Sequence, residues 1–303
     1  MTEPTPGARA AEETAVTLLR CRDRAVAAHN AGADLDPGLS PRPYLHPVRT
    51  FAGTPVTETL PADHVHHLGV SVAVPDVSGA NFWGGRTFVR DRGPTWLPNH
   101  GRQEHRAWEH RCDSGHTELI AWVGPDGTEP ITERRTVAVS AIGADAWALD
   151  VDVRLRNTGS EELSIASPAV NGRPGAGYGG FFWRAPVAAG PPRCFGPGAE
   201  GEEALHGSRS PWLALAGTSP EGAAWTLVFL AAGAVRDPWF VRAQEYPGVG
   251  AALAWDRPLV VPRGGEVRRR VVTLVADGHP GPGEVADLAA AARECAADPD
   301  GAA

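Results

Sequence analysis

The chain has 303 residues, 42% of them hydrophobic, enough for one large domain or two small ones with a sizeable core. Its 36 acidic against 28 basic residues give a formal charge of −8, and no basic cluster is interleaved with aromatics, which argues against a nucleic-acid partner. No stretch approaches the roughly 18 apolar residues of a membrane span, so no membrane partner is expected.

Residues 1–13 and 298–303 are small and polar and read as disordered tails. The N-terminus carries Glu3, Glu12 and Glu13 and lacks the basic start and apolar run of a signal peptide, which predicts a cytoplasmic location. "TAVTLLRC" and "RAVAAHN" flank Arg22-Asp23 and predict a hairpin. "GVSVAVP", "TELIAWVG", "RRTVAVSAI", "WALDVDVRLRN", "PWLALAG", "AAWTLVFLAA" and "VRRRVVTLVAD" follow as strands. In the fourth of these, Leu149, Val151, Val153 and Leu155 alternate with Asp150, Asp152, Arg154 and Arg156, the period of a sheet with one wet face. Turn residues separate the runs at "GPDG", "NTGS" and "PRGGE". The Gly/Pro/Glu-rich stretch from Ala188 to Ser210 reads as a long surface loop or lid. Pro282 to Ala297 carries Val285, Leu288, Ala292 and Cys295 on one helical face. The expectation is an all-β fold, a large antiparallel β-sandwich over residues 14–280 as a single domain, followed by a C-terminal helix and tail over 281–303. Cys21, Cys112, Cys194 and Cys295 are widely spaced, without a C-x-x-C pair, and are expected as reduced thiols.

Four stretches carry candidate chemistry. In Asp63-His64-Val65-His66-His67, continuation of the following strand would put His64 and His66 on one face, about 6.6 Å apart. That pair suits a divalent transition metal, while imidazoles beside a carboxylate equally suit acid/base catalysis. The same region offers Asp76, Asn81 and Trp83 as substrate contacts. "NHGRQEH" adds His100 and His105 after a tight turn at Gly101. "NGRPGAGYGGFFWRAP" has no G-K-[ST] and is no phosphate loop, but its glycines permit close backbone approach while Arg173, Tyr178 and Arg184 supply donors and a stacking face. "RDPWFVRAQEYPG" adds Arg242 and a late carboxylate, Glu245. Tryptophans beside polar clusters, Trp83 foremost, fit the C–H face of a sugar.

The segment "SPRPYLHPVRTFAGTPVTETLPADHVHHLGVSVAVPDVSGANFWGG", with "NHGRQEH" and "GRPGAGYGGFFWR", resembles the bacterial PmoA-like family, whose name is borrowed from a methane monooxygenase subunit and whose function is not established. The resemblance spans roughly residues 14–278 and rests on the D-H-x-H-H-x-G and N-F-W elements. It implies a fold similar to the galactose-mutarotase-like supersandwich and a sugar oxidoreductase as a partner. In mutarotases two histidines protonate the ring oxygen and a late Glu removes the anomeric proton. By that similarity His66 or His67 would be the first histidine, His100 or His105 the second, and Glu245 the base, although the mutarotase form N-H-L-H-G-G is missing.

These readings predict a carbohydrate-active enzyme performing His/Glu acid-base chemistry: epimerisation, elimination or hydrolysis. The catalytic candidates are His66, His67, His100, His105 and Glu245. The substrate-binding candidates are His64, Asp76, Asn81, Trp83, Arg173, Tyr178, Arg184 and Arg242. No cofactor is required by this reading. The alternatives are a metal-dependent enzyme using His64 and His66, and a non-catalytic sugar-binding partner of an oxidoreductase.

Overall fold

The computed structural model describes residues 16–297, so the tails expected at 1–13 and 298–303 lie outside the described residues. Strands are numbered in chain order. One sheet of seven has the order β1 (Thr17–Cys21), β2 (Arg24–Asn30), β3 (Tyr44–Val48), β4 (Val70–Ala73), β13 (Gly180–Arg184), β19 (Gly248–Ala252) and β18 (Trp239–Arg242). A second sheet of nine has the order β15 (Ala199–Glu200), β14 (Arg193–Gly196), β16 (Trp212–Thr218), β17 (Ala224–Ala231), β21 (Glu266–Asp277), β11 (Ala146–Asn157), β10 (Ile131–Ala141), β9 (Gly115–Val123) and β8 (Arg102–Cys112). Small sheets of β20 (Leu259–Val261), β12 (Leu163–Ala166) and β5 (Asp76–Val77), and of β6 (Thr87–Val89) with β7 (Gly93–Thr95), complete the set. The strand pairs of both large sheets are antiparallel, and the fold is the all-β sandwich expected.

The alternation read in β11 holds. Leu149, Val151, Val153 and Leu155 enter the core between the sheets with Val72, Phe181, Trp183 and Val249 from the opposite sheet. On the other face Asp152 accepts from Arg268 Nε at 3.0 Å, and Asp150 from Arg270 Nε at 2.9 Å. The hairpin β1–β2 turns at Arg22 (φ 49°) and Asp23 (φ 63°), the pair of positive φ values that a two-residue hairpin loop needs. Helix α2 (Pro282–Ala297) has the bounds read from the sequence, and its Val285, Ala289 and Ala292 pack on the outer face of the nine-stranded sheet against Val228, Leu230, Val272 and Leu274. Among the described residues no helix is long and apolar enough to cross a membrane.

One segment differs from expectation. The stretch 188–210 is not one long loop: it holds β14, β15 and a helical turn, α1 (Glu202–Leu205). Cys194, Phe195 and Leu205 are buried there, and that apolar content outweighs the turn-forming glycines around it. The chain after Gly101 is extended. Eleven residues form β8, whose charged sequence suits an edge strand that must discourage further pairing.

Candidate functional site

The outer face of the seven-stranded sheet is built by strict alternation. On β13, Phe181 and Trp183 turn toward the core while Phe182 turns to the opposite side, where Trp83, Phe240, Tyr178 and Tyr246 join it. Neighbouring β19 offers only Gly248 and Gly250 between its buried Val249 and Ala251. A Cβ at Gly248 would stand 3.0 Å from the Tyr246 ring and 3.2 Å from Phe182, so glycine lets both rings lie against the strand. Beside this aromatic floor lies an open cleft of about 380 Å³, lined by Asp63, Arg184, Gln244, Glu245 and Tyr246 and walled by Val187 to Pro192.

The histidine motif reaches the cleft by a different route from the one expected. It is not an extension of β4 but two successive tight turns, closed by His64 N–H to the Pro61 carbonyl (3.0 Å) and His67 N–H to the His64 carbonyl (2.9 Å). Proline at 61 and the polar run after it favour turns, and the strand begins only at Val70. The side chains therefore do not alternate between faces. His64 stacks on His67 at 4.6 Å between ring centroids, and His66 meets His67 edge-on at 4.9 Å. Gly84 and Gly85 admit His66: a Cβ at either would come within 2.9 Å of that side chain.

Two buried arginines set the electrostatics. Arg42 is 1% exposed and donates to the carbonyls of Leu39 (3.0 Å), Ser40 (3.0 Å), Trp83 (3.1 Å) and His66 (2.7 Å), with Nε reaching Ser71 Oγ at 3.3 Å. It ties the histidine turns to the Asn81–Gly85 segment and the sheet. Arg184, also 1% exposed, lies over the Tyr246 ring at 4.6 Å and pairs with Asp63 at 3.2 Å and Glu58 at 3.6 Å. Its Nε and Nη1 are buried without a hydrogen-bond partner, as is Nδ1 of His67.

Burial, reinforced by Arg42 and His64, pushes His66 down to about 3, and burial with the neighbouring histidines and arginines pushes His67 well below its ordinary value. Both are neutral imidazoles at physiological pH. His64 differs: its side chain is 35% exposed and its Nδ1 lies 2.8 Å from Asp63 Oδ2. Burial opposes ionisation of Asp63, but the hydrogen bond with His64 and the charge of Arg184 hold its carboxyl below the ordinary value. Burial raises the Tyr178 and Tyr246 phenols, which stay protonated.

The structure thus gathers His64, His66, His67, Trp83, Tyr178 and Arg184, with Glu245 on the cleft wall. Arg173 is exposed and hydrogen-bonds Tyr178, while Arg242 covers Phe240 and pairs with Glu202 (3.4 Å) and His206 (3.2 Å), so both flank the aromatic floor. His100 stands behind His66, its Nε2 bonded to the Gly85 carbonyl at 2.7 Å. Three candidates serve elsewhere. Asp76 accepts from Gly79 N–H and Asn171, shaping a turn. Asn81, 1% exposed, accepts from the Trp83 and Gly84 N–H groups at 2.8 and 2.9 Å, so it positions Trp83 and does not face a ligand. His105 bonds Glu118 at 2.7 Å between the two sheets.

Sequence reasoning missed Arg42 and Glu58. Nothing in "SPRPY" marks Arg42, whose acceptors are main-chain carbonyls up to 41 residues away. Asp63 on His64 Nδ1 leaves Nε2 open, while Arg42 and Arg184 beside the histidines are the charges that would oppose a cation there.

Comparison with known proteins gives a family without an assigned activity. Residues 17–290 match the family described as "Family of unknown function (DUF6807)", and the PmoA-like likeness stays a resemblance of motifs. No curated protein matches the sequence. Among solved structures, a protein of Escherichia coli K12 provisionally described as an aldose 1-epimerase is similar over 87% of this chain and 99% of its own, at 12% identity and a TM-score of 0.45. A mutant heparan sulfate lyase from Pedobacter heparinus is similar over 59% of this chain and 22% of its own, at 9% identity and a TM-score of 0.27. With TM-scores below 0.5, neither likeness bears on the chemistry of this site.

Proposed function

The chain belongs to that family, DUF6807, and we propose that it is a carbohydrate-active enzyme that moves a proton at a sugar carbon with the Asp63–His64 pair. The observation that carries this reading is the pair's position: a half-exposed imidazole bonded to a carboxylate, at a cleft whose buried Arg184 keeps two unpaired donors. Asp63 accepts from His64 Nδ1–H and fixes the tautomer that leaves Nε2 as the base. The Arg184 donors suit a sugar hydroxyl or an oxyanion developing as the proton leaves, and they gain most when that charge appears. Tyr246, backed by the buried Trp83 and Phe182, gives an apolar face for the ring C–H groups. Glu245, which lines the same cleft, would serve as the second acid or base. His66 and His67, being neutral and buried, act as hydrogen-bonding walls, so the proton-transfer role expected of them passes to His64.

The test is a sugar panel in D2O, followed by NMR for solvent exchange at the anomeric carbon and at carbons next to a carbonyl. His64→Ala should lower the exchange rate about 10²–10⁴-fold. Undiminished exchange in that variant defeats the assignment, and saturable sugar binding with no exchange or product would make the chain a binding protein.

A further inference from the structure

A second cluster of histidines lies between the sheets, away from the cleft. On β9 the residues His116, Glu118, Ile120 and Trp122 share the inward face, and the last two join the core. Across the gap β2 supplies His29, whose Nε2 lies 3.1 Å from Glu118 Oε2. From β8 come His105, with Nδ1 2.7 Å from Glu118 Oε1, and Trp108, which packs against all three imidazoles at 4.6 to 5.1 Å. Three positions apart, His105 and Trp108 would face opposite sides of a regular strand. A bulge between His105 and Ala107 turns both toward β9.

We propose that His29, His116 and Glu118 bind a divalent first-row transition metal ion of the zinc type. One donor atom from each lies within 4.8 Å of the other two, and all three residues are buried. His116 is the independent sign. It is 1% exposed, and both ring nitrogens are buried with no hydrogen-bond partner. A buried nitrogen in that state is costly, and coordination removes the cost for one of them. Zinc bonds of about 2.0–2.2 Å need donor atoms a little over 3 Å apart in a tetrahedral site, and the His29–Glu118 separation is already 3.1 Å. The ion takes the place of the proton between His29 Nε2 and Glu118 Oε2, which passes to His29 Nδ1 if the imidazole is neutral and to solvent if it is protonated. His105 keeps its bond to the other Glu118 oxygen and orients the carboxylate from outside, the usual arrangement around a ligating group. His105 also lines an open cleft of about 720 Å³ with His100 and Glu104, so the outer member of the cluster meets solvent. Because His29 and Glu118 belong to different sheets, the ion would clasp the two layers at their β2–β9 margin.

The full chain, stripped with chelator and without a histidine tag, is titrated with Zn(II) by calorimetry and with Co(II) by visible absorption. One ion per chain, a d–d spectrum of tetrahedral intensity and a higher melting temperature with zinc are expected. His116→Ala and Glu118→Gln should weaken binding at least 100-fold, and His105→Ala about 10–100-fold. His64→Ala should bind like the natural chain. Absence of saturable binding at one ion per chain overturns the proposal. So does binding that survives His116→Ala and fails in His64→Ala. The unaltered chain carries the stoichiometry, the spectrum and the melting shift, so an unfolded variant does not blunt the test.

Discussion

The two histidine clusters use the same side chain beside different partners. His66 and His67 sit beside the buried guanidiniums of Arg42 and Arg184, with the nearest carboxylates, Asp63 and Glu58, held by Arg184. His29, His105 and His116 gather around one fully buried carboxylate, Glu118. Burial pushes His66 and His116 alike down to about 3, so the clusters differ not in protonation but in their fixed partners: guanidiniums donating to carbonyls in one, and a carboxylate offering its two oxygens to two imidazoles in the other. Counting histidines in a sequence therefore says little about their chemistry until the nearest fixed charge is known.

Removing those fixed charges is the most direct way to break the contrast. Arg42→Met should cost the most, about 3 kcal/mol or more in denaturant unfolding, because it strands several buried carbonyls at once. The same change should move the His66 titration, followed by NMR, up toward its ordinary value, since Arg42 is the largest charge acting on it. Glu118→Gln in metal-free protein should cost about 2 kcal/mol through its weakened bonds to His29 and His105.

Acid should separate the variants further. His66 sits at about 3 in the fold against about 6.5 unfolded, so between those values the unfolded chain binds the extra proton. Stability from this group is complete above about pH 6.5 and is lost as pH falls toward 3. The slope is about 1.4 kcal/mol per pH unit per histidine, and a His66→Gln variant should show an acid limb flatter by that amount. The smallest effect belongs to His64→Ala. Its partly exposed hydrogen bond with Asp63 should contribute less than about 1 kcal/mol to unfolding free energy, while the proton exchange proposed for the cleft collapses.

Much of the frame was legible because it depends on period. The two-fold alternation of β11 and the Arg22-Asp23 hairpin are local facts written in adjacent residues. The outer cluster was legible as a motif but not as a shape, because two successive turns and a short strand entry look alike in five residues. The inner cluster was illegible for a different reason: His29 stands 89 residues from Glu118, on another sheet. A faint signal existed in "HTELIAW", where His116 and Glu118 fall in phase with Ile120 and Trp122 and so point into the core. A charged residue in phase with a buried face marks either an error of register or a partner elsewhere in the chain.

The packing of α2 gives the molecule a front and a back. With the nine-stranded sheet partly roofed by that helix, the cleft opens on the opposite side of the sandwich, beyond both layers of strands. A dye, a tether or a fused protein attached to the outward side of the helix would be held off from arriving ligand by the full thickness of the sandwich. The protein can accordingly be anchored from behind while its cleft stays open to solution.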